Sequence, residues 1–261
     1  MNNPSRERAE RQLRYLAGRP EPVLVLTETA RSAGCEFLAV QFEAAGYHVA
    51  FLPPTAGTRE RGVMIVSRLA AYPLPLPIGY LPQRAVAVTV RTETGPLDII
   101  GVYVPSRDAS EAKVTRKKRF LKELRAALPD GETGAHLVIG DFNLLEPTHV
   151  PQYRFFQPWE YGFYTGLGVA GYRDAFRLVA PDARDYSWVG RTGDGYRYDH
   201  AHVSGPLADH VCGCRYVHEP RTGGNRLTDH SALTVSLALT ASEPLDVTDP
   251  VRVHDAVPAL F

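Results

Sequence analysis

The sequence predicts an α/β fold with a mixed β-sheet. Short apolar runs rich in β-branched residues alternate with segments whose apolar residues recur at helical spacing. Two long strand-like runs, residues 84–94 and 97–104, meet at Glu93-Thr94-Gly95-Pro96, a turn sequence that favours an antiparallel hairpin. Because 44% of the 261 residues are apolar and 22% are charged, the chain can bury a substantial core.

The N-terminal part predicts alternating helices and strands. A helix is expected to begin at Asn3-Pro4, where an N-cap precedes proline, and to end at Gly18. Residues 22–28 form a short apolar run that ends in Glu28, which is typical of a strand buried on both faces. The elements expected next are a helix at 35–45, strands at 47–52 and 62–68, and an extended proline-rich connection at 72–77.

The most basic segment, residues 110–128, is predicted to be an amphipathic surface helix with a basic outer face. Its apolar stripe comprises Phe120, Leu121, Leu124 and Leu128. Its basic residues are Lys113, Arg116, Lys117, Lys118, Arg119, Lys122 and Arg125. Two interpretations of this face stay open. It is a solvated surface, or it contacts the phosphates of DNA, since such contacts supply most non-specific nucleic-acid affinity.

The C-terminal half continues the alternation of elements. They are a buried strand at 136–141, an irregular aromatic stretch at 153–164, a helix at 171–179, and strands at 186–189, 198–204, 211–218 and 232–239. Residues 1–240 are expected to form one domain, and residues 241–261 are expected to form a C-terminal tail.

The composition argues against several classes of protein. The 29 basic residues balance the 29 acidic ones, so no bulk positive field attracts nucleic acid, although a local basic groove remains compatible. No apolar run could span a bilayer, and the polar N-terminus lacks a signal-peptide pattern. We therefore expect a cytoplasmic monomer without membrane contact. Three cysteines cannot form a disulfide scaffold, and Cys212-Gly-Cys214 lacks the second ligand pair of a structural zinc site.

Polar residues suited to catalysis flank three predicted strands. Asp141 and Asn143 follow an apolar strand, at the carboxyl end where layered α/β folds gather ligands. Asp199 begins another strand, and Asp229 and His230 precede the last one. A turn or a helix cap would explain any one of them alone. Their combination and their order carry the functional prediction.

In this order, the chain resembles the endonuclease/exonuclease/phosphatase superfamily, and within it the exonuclease III-like branch of abasic-site endonucleases. The segments that carry the resemblance are Glu28 after Val-Leu-Val-Leu-Thr, Gly62 to Arg68, Tyr103-Val-Pro-Ser106, Gly140-Asp-Phe-Asn143, Ser187-Trp188, Arg197-Tyr-Asp199 and Thr228-Asp-His230. The resemblance covers residues 1–240. It implies a four-layer α/β sandwich, with two mixed β-sheets packed face to face and helices outside.

The resemblance also implies metal-dependent phosphodiester hydrolysis and assigns catalytic roles. Asp141 would orient and deprotonate the attacking water, and Asn143 would fix that carboxylate or the phosphate. His230 would contact a non-bridging phosphate oxygen while paired to Asp199, which favours its charged form. Tyr103 would donate to the phosphate or to the leaving group.

The metal ligands follow from the same resemblance. Glu28 and Asp229 would hold Mg²⁺, with Mn²⁺ as an alternative, because carboxylate oxygens suit hard cations. Family members open with a strand that ends in Asn-x-Asn or Asn-x-Asp, whose first Asn joins the metal shell. Aligned through Glu28, that Asn would fall just before Met1, and Asn2 matches the second position of the motif.

Three explanations of this departure stay open. The natural start lies upstream of Met1, which we favour, or the chain lacks its first strand, or Asn2 or Asn3 replaces the ligand. On the first explanation, we expect a chain that carries the strand to bind Mg²⁺ more tightly than one that starts at Met1.

Further residues are candidates for substrate binding. Asn143 can reach the phosphate, while Arg177 and Arg197 match arginines that the resemblance places near substrate. Trp188 lies where the family places an aromatic near the sugar or the base, and the resemblance implies stacking there, because every base has a π-face. For Arg177 the alternative is a role in the core or in a helix cap, and for Trp188 it is packing in the core. His200 and His202 share one strand face, where packing, metal ligation and substrate contact stay open.

Three functions are compatible with these residues. The first is a DNA nuclease that cleaves at abasic sites and removes 3′ nucleotides, with the basic helix at residues 113–125 as the DNA contact. The second is a phosphatase or phosphodiesterase that acts on a small or lipid phosphoester, which the aromatic stretch at 153–164 suggests. The third is a binding module that keeps the fold without turnover.

Overall fold

The computed structural model describes residues 1–256, and the statements below refer to that part of the chain. Its helices are α1 (Arg6–Ala17), α2 (Ala33–Ala44), α3 (Glu111–Ala127), α4 (Pro158–Val169), α5 (Ala175–Val179), α6 (Gly205–Ala208), α7 (Glu219–Thr222) and α8 (Pro250–Ala256). None of these helices is long and apolar enough to cross a membrane. The strands are β1 (Val23–Thr29), β2 (His48–Phe51), β3 (Gly62–Ser67), β4 (Ala71–Pro73), β5 (Ala85–Thr92), β6 (Gly95–Tyr103), β7 (Ala135–Asp141), β8 (Tyr172–Asp174), β9 (Trp188–Val189), β10 (Gly195–Tyr196), β11 (Asp199–Ser204), β12 (Val211–Val217) and β13 (Ala232–Leu237).

Two β-layers pack face to face, with helices on both outer sides. The first layer is a six-stranded sheet in the order β4-β5-β6-β7-β11-β8. In it β6 and β7 run parallel and the other neighbours run antiparallel. The second layer contains the three-stranded sheet β1-β3-β2 and the separate pair β12-β13. The predicted α/β sandwich with a mixed sheet and a β5-β6 hairpin is therefore confirmed.

Three apolar cores hold these layers together. The inner core lies between the two β-layers and includes Ile65 and Ile99. A second core, which includes Phe120, lies between the six-stranded sheet and the helices α3 and α4. The third, which includes Phe42, joins α1, α2 and α8 to the outer face of β1-β3-β2. Burial of each such side chain contributes about 1.5–3 kcal/mol to the free energy of unfolding.

Strand β1 is less buried than its apolar sequence predicts. Val23, Leu24 and Val25 are only partly buried, whereas the adjacent strand β3 is buried throughout. The second β-layer is divided between β1 and β13, and within residues 1–256 no strand pairs with the open edge of either. The prediction that this strand is buried on both faces was wrong, because β1 borders a cavity.

Residues 241–256 pack against the sandwich instead of forming a tail. The N–H of Leu245 donates to the carbonyl of Arg68 at 2.8 Å, and the N–H of Ser242 donates to the carbonyl of Arg91 at 3.1 Å. Helix α8 then contacts α1 and α2, with Val251 against their apolar core. Over this range the predicted C-terminal tail therefore contacts the sandwich, and its last residues, 257–261, lie outside the described part of the chain.

Three local elements also differ from their predicted form. Helix α1 begins after Ser5, whose side chain caps it, and not at Asn3-Pro4. The aromatic stretch at 153–164, predicted to be irregular, contributes the first turns of α4. The segment 171–179, predicted to be one helix, divides into β8 and α5 because Asp174 caps a new helix there.

A buried ion-pair cluster joins the six-stranded sheet to the segment that follows β7. The Arg197 side chain is enclosed, and its Nη2 lies 2.9 Å from Glu146 Oε2 and 2.5 Å from Asp174 Oδ2. Glu146 also accepts a hydrogen bond from Nε of Arg177 at 2.7 Å. Burial opposes ionisation of Asp174, but the charge of Arg197 holds the pKa of that carboxyl well below its usual range.

The substitution Glu146→Gln should destabilise the fold by about 3 kcal/mol or more, because it leaves buried guanidinium groups without a shared carboxylate. The matched control is Glu7→Gln, which removes the partner of Arg11 from an exposed pair and should have a far smaller effect. Urea unfolding followed by circular dichroism measures both free energies. Equal effects of the two substitutions would contradict the structural importance of the cluster.

Candidate active site

The site is built on two neighbouring strands of the six-stranded sheet. The antiparallel register pairs Asp141, the last residue of β7, with Asp199, the first residue of β11. Gly140 precedes Asp141 with a φ of +150°, and a Cβ there would lie only 2.0 Å from the carbonyl oxygen of Val102. A glycine is therefore required at this position for β7 to approach β6 closely and to place Asp141 opposite Asp199.

Asp199 is fixed by its backbone and pairs with His230. Its N–H donates to Oγ of Ser187 at 3.1 Å, and its carbonyl accepts from the hydroxyl of Tyr216 at 2.6 Å. Nδ1 of His230 lies 2.7 Å from Oδ2 of Asp199. Burial alone would lower the pKa of His230, but the charge and hydrogen bond of Asp199 raise it to about 10. The imidazolium is therefore the favoured form, and its Nε2 is available to an anion.

Asp141 is held by Asn143 and has an elevated pKa. Its two carboxylate oxygens accept from the N–H of Asn143 at 2.8 Å and from the side-chain amide of Asn143 at 3.0 Å. Burial, followed by the charge of Asp199, raises the pKa of Asp141. Asn143 has a φ of +49°, a left-handed conformation that Asn tolerates better than most residues. This turn lets one residue contact both oxygens of the carboxylate.

The second β-layer supplies Glu28, which the structure brings to Tyr103. The hydroxyl of Tyr103 donates to Oε1 of Glu28 at 2.8 Å. Glu28 lies at a bulge in β1 with a φ of +59°, so its side chain departs from the regular alternation of the strand. Burial, and then the charge of Glu28, raise the pKa of Tyr103, which keeps the phenol protonated as a hydrogen-bond donor.

The remaining predicted metal ligands, Asn2 and Asp229, contact each other. Nδ2 of Asn2 donates to Oδ1 of Asp229 at 3.3 Å. Besides burial, the charges of Asp199 and Glu28 raise the pKa of Asp141, so negative charge is concentrated where β7 ends. A divalent cation would neutralise it. Because Glu28, Asp229 and Asn2 offer oxygen donors, the residues fit a hard cation such as Mg²⁺.

A buried lysine, Lys117, holds the backbone of Asn143, although the sequence predicted an exposed side chain at this position. Lys117 was assigned to the basic outer face of α3, but its side chain is only 1% exposed. Its Nζ donates to the carbonyl of Asn143 at 2.6 Å and to Oε1 of Glu160 at 2.7 Å. Arg107 also pairs with Glu160. The periodicity contained this signal, since residue 117 lies one helical turn before the buried Phe120.

Much of the remaining basic face of α3 is also paired. Arg116 contacts Glu60 at 2.6 Å. Two further pairs are Lys113 with Asp108 and Arg119 with Glu123. Within the described chain, the basic residues of α3 without such an ion pair are Lys118, Lys122 and Arg125. The local positive field is therefore smaller than the sequence predicts.

An aromatic stack extends from His230 and includes Trp188. The rings of Tyr198 and Tyr196 stack with centroids 5.2 Å apart, and Tyr153 stacks on Tyr196 at 4.4 Å. Trp188 packs against Tyr196 at 5.4 Å, and Tyr198 lies 6.4 Å from His230. All four aromatic residues of the stack are partly exposed. The sequence analysis singled out only Trp188 as a stacking residue, because the stack forms when the distant Tyr153 meets Tyr196 and Tyr198, which lie just before β11.

Two predicted substrate-binding residues are not brought to this surface. Arg197 is fully buried, and its guanidinium contacts Glu146 and Asp174 in the ion-pair cluster. Arg177 shares Glu146 and donates to the carbonyls of residues 180, 181 and 183. Both side chains therefore have their donors committed to the fold. A motif gives a position along the chain and does not reveal depth below the surface.

A second polar cluster lies on the opposite face of the sheet. Asp174, His200 and His202 each offer a possible metal-ligand atom, and these atoms lie within 4.8 Å of one another. Because residues alternate along β11, His200 and His202 face away from Asp199. Burial lowers the pKa of His202 to about 3, which keeps it neutral. Arg197 already pairs with Asp174, and its positive charge opposes a metal cation there. The cluster therefore fits packing within the fold better than metal binding.

The structure of the chain matches solved structures of known proteins. No family model matches the chain, and no curated protein matches it by sequence. The structure is similar to the 3′ phosphatase NExo from Neisseria bound to a product DNA hairpin, with 24% identity, a TM-score of 0.77, and coverage of 90% of this chain and 96% of that one. It is also similar to the 3′-5′ exonuclease NExo from Neisseria meningitidis, with 25% identity, a TM-score of 0.75, and coverage of 89% and 96%.

A third similar structure is an AP endonuclease from Archaeoglobus fulgidus, with 23% identity, a TM-score of 0.74, and coverage of 90% of this chain and 96% of that one. These likenesses span most of both chains and confirm the resemblance that the motifs indicate. The chain has the fold of the exonuclease III branch of the endonuclease/exonuclease/phosphatase superfamily.

Proposed function

We propose that the protein is a Mg²⁺-dependent phosphodiester hydrolase of the exonuclease III type that acts on DNA. One observation carries the proposal. Where β7 ends and β11 begins, the pair Asp199 and His230 lies next to the pair Asp141 and Asn143. One pair offers a positive charge and the other offers a fixed base. The similarity to nucleases and a 3′ phosphatase supports the same chemistry.

The residues divide the hydrolysis between them. Asp141 accepts a proton from water as the water oxygen attacks phosphorus, and its raised pKa makes it a stronger base. The bond from phosphorus to the leaving oxygen breaks as the new bond forms. The imidazolium of His230 binds a non-bridging phosphate oxygen, and Asp199 holds the ring in position. The phenol of Tyr103, which donates to Glu28 in the structure, would turn to donate to the phosphate or to the leaving oxygen.

Glu28, Asp229 and Asn2 would hold the metal ion. When bound, Mg²⁺ would supply positive charge that stabilises the developing charge on the phosphate oxygens. Asn2 and Asp229 already contact each other, which supports a shared ligand set. Their role is independent of the Asp174, His200 and His202 cluster, which faces the other side of the sheet.

The aromatic stack supports DNA over a small phosphoester as the substrate. It presents four partly exposed aromatic residues next to His230, so a phosphate at the imidazolium would place a neighbouring base or sugar beside Tyr198. Stacking on aromatic side chains contributes about 1–3 kcal/mol per base. The exposed residues Lys118 and Lys122 offer phosphate contacts without an ion-pair partner to displace.

The substitutions Asp141→Asn and His230→Ala should each lower kcat for cleavage of abasic-site duplex DNA by about 10²-fold or more, because each removes a group that acts in the transition state. The matched control is Asp209→Asn, an exposed carboxylate at the end of α6. Cleavage is measured with Mg²⁺ and with EDTA, and folding is checked by circular dichroism. Absence of metal-dependent hydrolysis in the parent chain would favour a binding module and contradict the proposal.

Salt should inhibit cleavage of abasic-site duplex DNA much more than hydrolysis of a small diester, because salt weakens contacts with several phosphates. The measurement is kcat/KM for both substrates between about 50 and about 200 mM NaCl. The substitution Lys118→Gln should reduce the slope with DNA, whereas Lys113→Gln, which removes the partner of Asp108, should change it less. An equally mild salt response for both substrates would favour a small phosphoester instead.

A further inference from the structure

Phe155 is an aromatic residue that the fold leaves on the surface near the candidate active site. It precedes α4, and 45% of it is exposed. The next residue, Phe156, is buried, and the two rings lie 5.4 Å apart. Phe156 in turn lies 6.1 Å from the ring of Tyr198, the residue of the aromatic stack that lies next to His230. A continuous series of ring contacts therefore leads from the imidazolium to an exposed ring.

A buried arginine holds the ring of Phe155. The guanidinium of Arg107 lies 4.3 Å from the centroid of this ring, and its Nη2 donates to the carbonyl of Phe155 at 2.7 Å. Arg107 is fixed by its ion pair with Glu160, and its side chain is only 3% exposed. Glu160 also accepts from Lys117, which donates to the carbonyl of Asn143. One buried network therefore positions both the exposed ring and the turn that carries Asn143.

A second aromatic residue and two exposed cations lie beside Phe155. The ring of Trp159 is partly exposed, and its centroid lies 5.6 Å from the guanidinium of Arg107. The ammonium of Lys118 lies 5.2 Å from the same ring, and Arg154 is an exposed neighbour of Phe155 in the chain. We call the surface formed by Phe155, Trp159, Lys118 and Arg154 the Phe155 platform. Exposed aromatic rings beside cations suit single-stranded nucleic acid, because the rings stack on bases while the cations contact phosphates.

The chemistry of the Phe155 platform favours an unpaired base over a paired one. In a duplex the faces of each base are covered by its neighbours, and uncovering one costs free energy, least where the base is already single-stranded. A lipid surface would also cover an exposed aromatic ring beside cations. The continuity of the ring contacts with the stack at His230 favours DNA instead, since the proposed site would bind a phosphate of the same molecule.

We infer that the Phe155 platform binds an unpaired nucleotide of the DNA substrate, so that DNA with a single-stranded segment beside the cleaved phosphate binds more tightly than fully paired DNA. The base stacks on Phe155, and the adjoining phosphate contacts Lys118 or Arg154. The inference rests on the proposed function as a DNA hydrolase, and it identifies the form of DNA that the site takes.

Binding of DNA without cleavage tests the inference. Fluorescence anisotropy in EDTA compares a blunt duplex with the same duplex carrying a short unpaired segment at its 3′ end or at its 5′ end. The parent chain should bind one of the extended duplexes about tenfold more tightly than the blunt one, as expected for stacking of one base. Phe155→Ala should remove this preference. Phe155→Leu should also remove it because leucine has no π-face, whereas Phe155→Trp should retain it.

The matched control is Tyr72→Ala on the edge strand β4. Tyr72 is also 45% exposed, and its ring centroid lies 5.3 Å from the guanidinium of Arg91, so it resembles Phe155 in its surroundings. Its substitution should leave the preference for extended DNA unchanged.

Three results would overturn the inference. They are equal affinity of the parent for all three duplexes, a preference that Phe155→Ala leaves intact, and loss of binding to anionic phospholipid vesicles in Phe155→Ala without any change in binding to DNA. Cleavage of the same duplexes with Mg²⁺ separates this inference from the proposed function. Absence of cleavage while the binding preference persists would contradict the proposed function alone.

Discussion

The antiparallel register between β7 and β11 is the constraint on which the site depends. It places Asp141 opposite Asp199 where β7 ends and β11 begins, and two carboxylates at this point would repel each other. The structure offsets this repulsion with His230, whose ring contacts Asp199, and with Asn143, whose amide groups contact Asp141. A shift of one residue in this register would turn these side chains to the other face and dismantle the site.

The residues behind this edge keep its groups in position. Lys117 and Glu160 form a buried pair that holds the carbonyl of Asn143, and Ser187 holds the backbone of Asp199. Such groups contact neither water nor phosphate in the proposed mechanism. They restrict the rotation of the side chains that contact water and phosphate. A site held in this way needs little reorganisation as charge develops. The fold therefore devotes several buried charges to positioning.

The sequence predicted the strand ends well and the depth of individual residues poorly. Asp141 and Asp199 could be located because each lies at the end of an apolar strand within a recognisable motif. The burial of Arg197 could not be predicted, because its motif gives a position along the chain, whereas its burial depends on Glu146, a residue distant in sequence. The partial burial of β1 could not be predicted either, since it depends on what lies between two strands far apart in the chain.

The claim that the edge bearing Glu28 and Asp229 binds the metal is tested most directly by a crystal structure with Mn²⁺ and abasic-site DNA. The anomalous difference map locates the ion without reference to activity. We expect a peak among the oxygen atoms of Glu28, Asp229 and Asn2, with a phosphate of the DNA beside His230. A peak among Asp174, His200 and His202, with none at that edge, would contradict it.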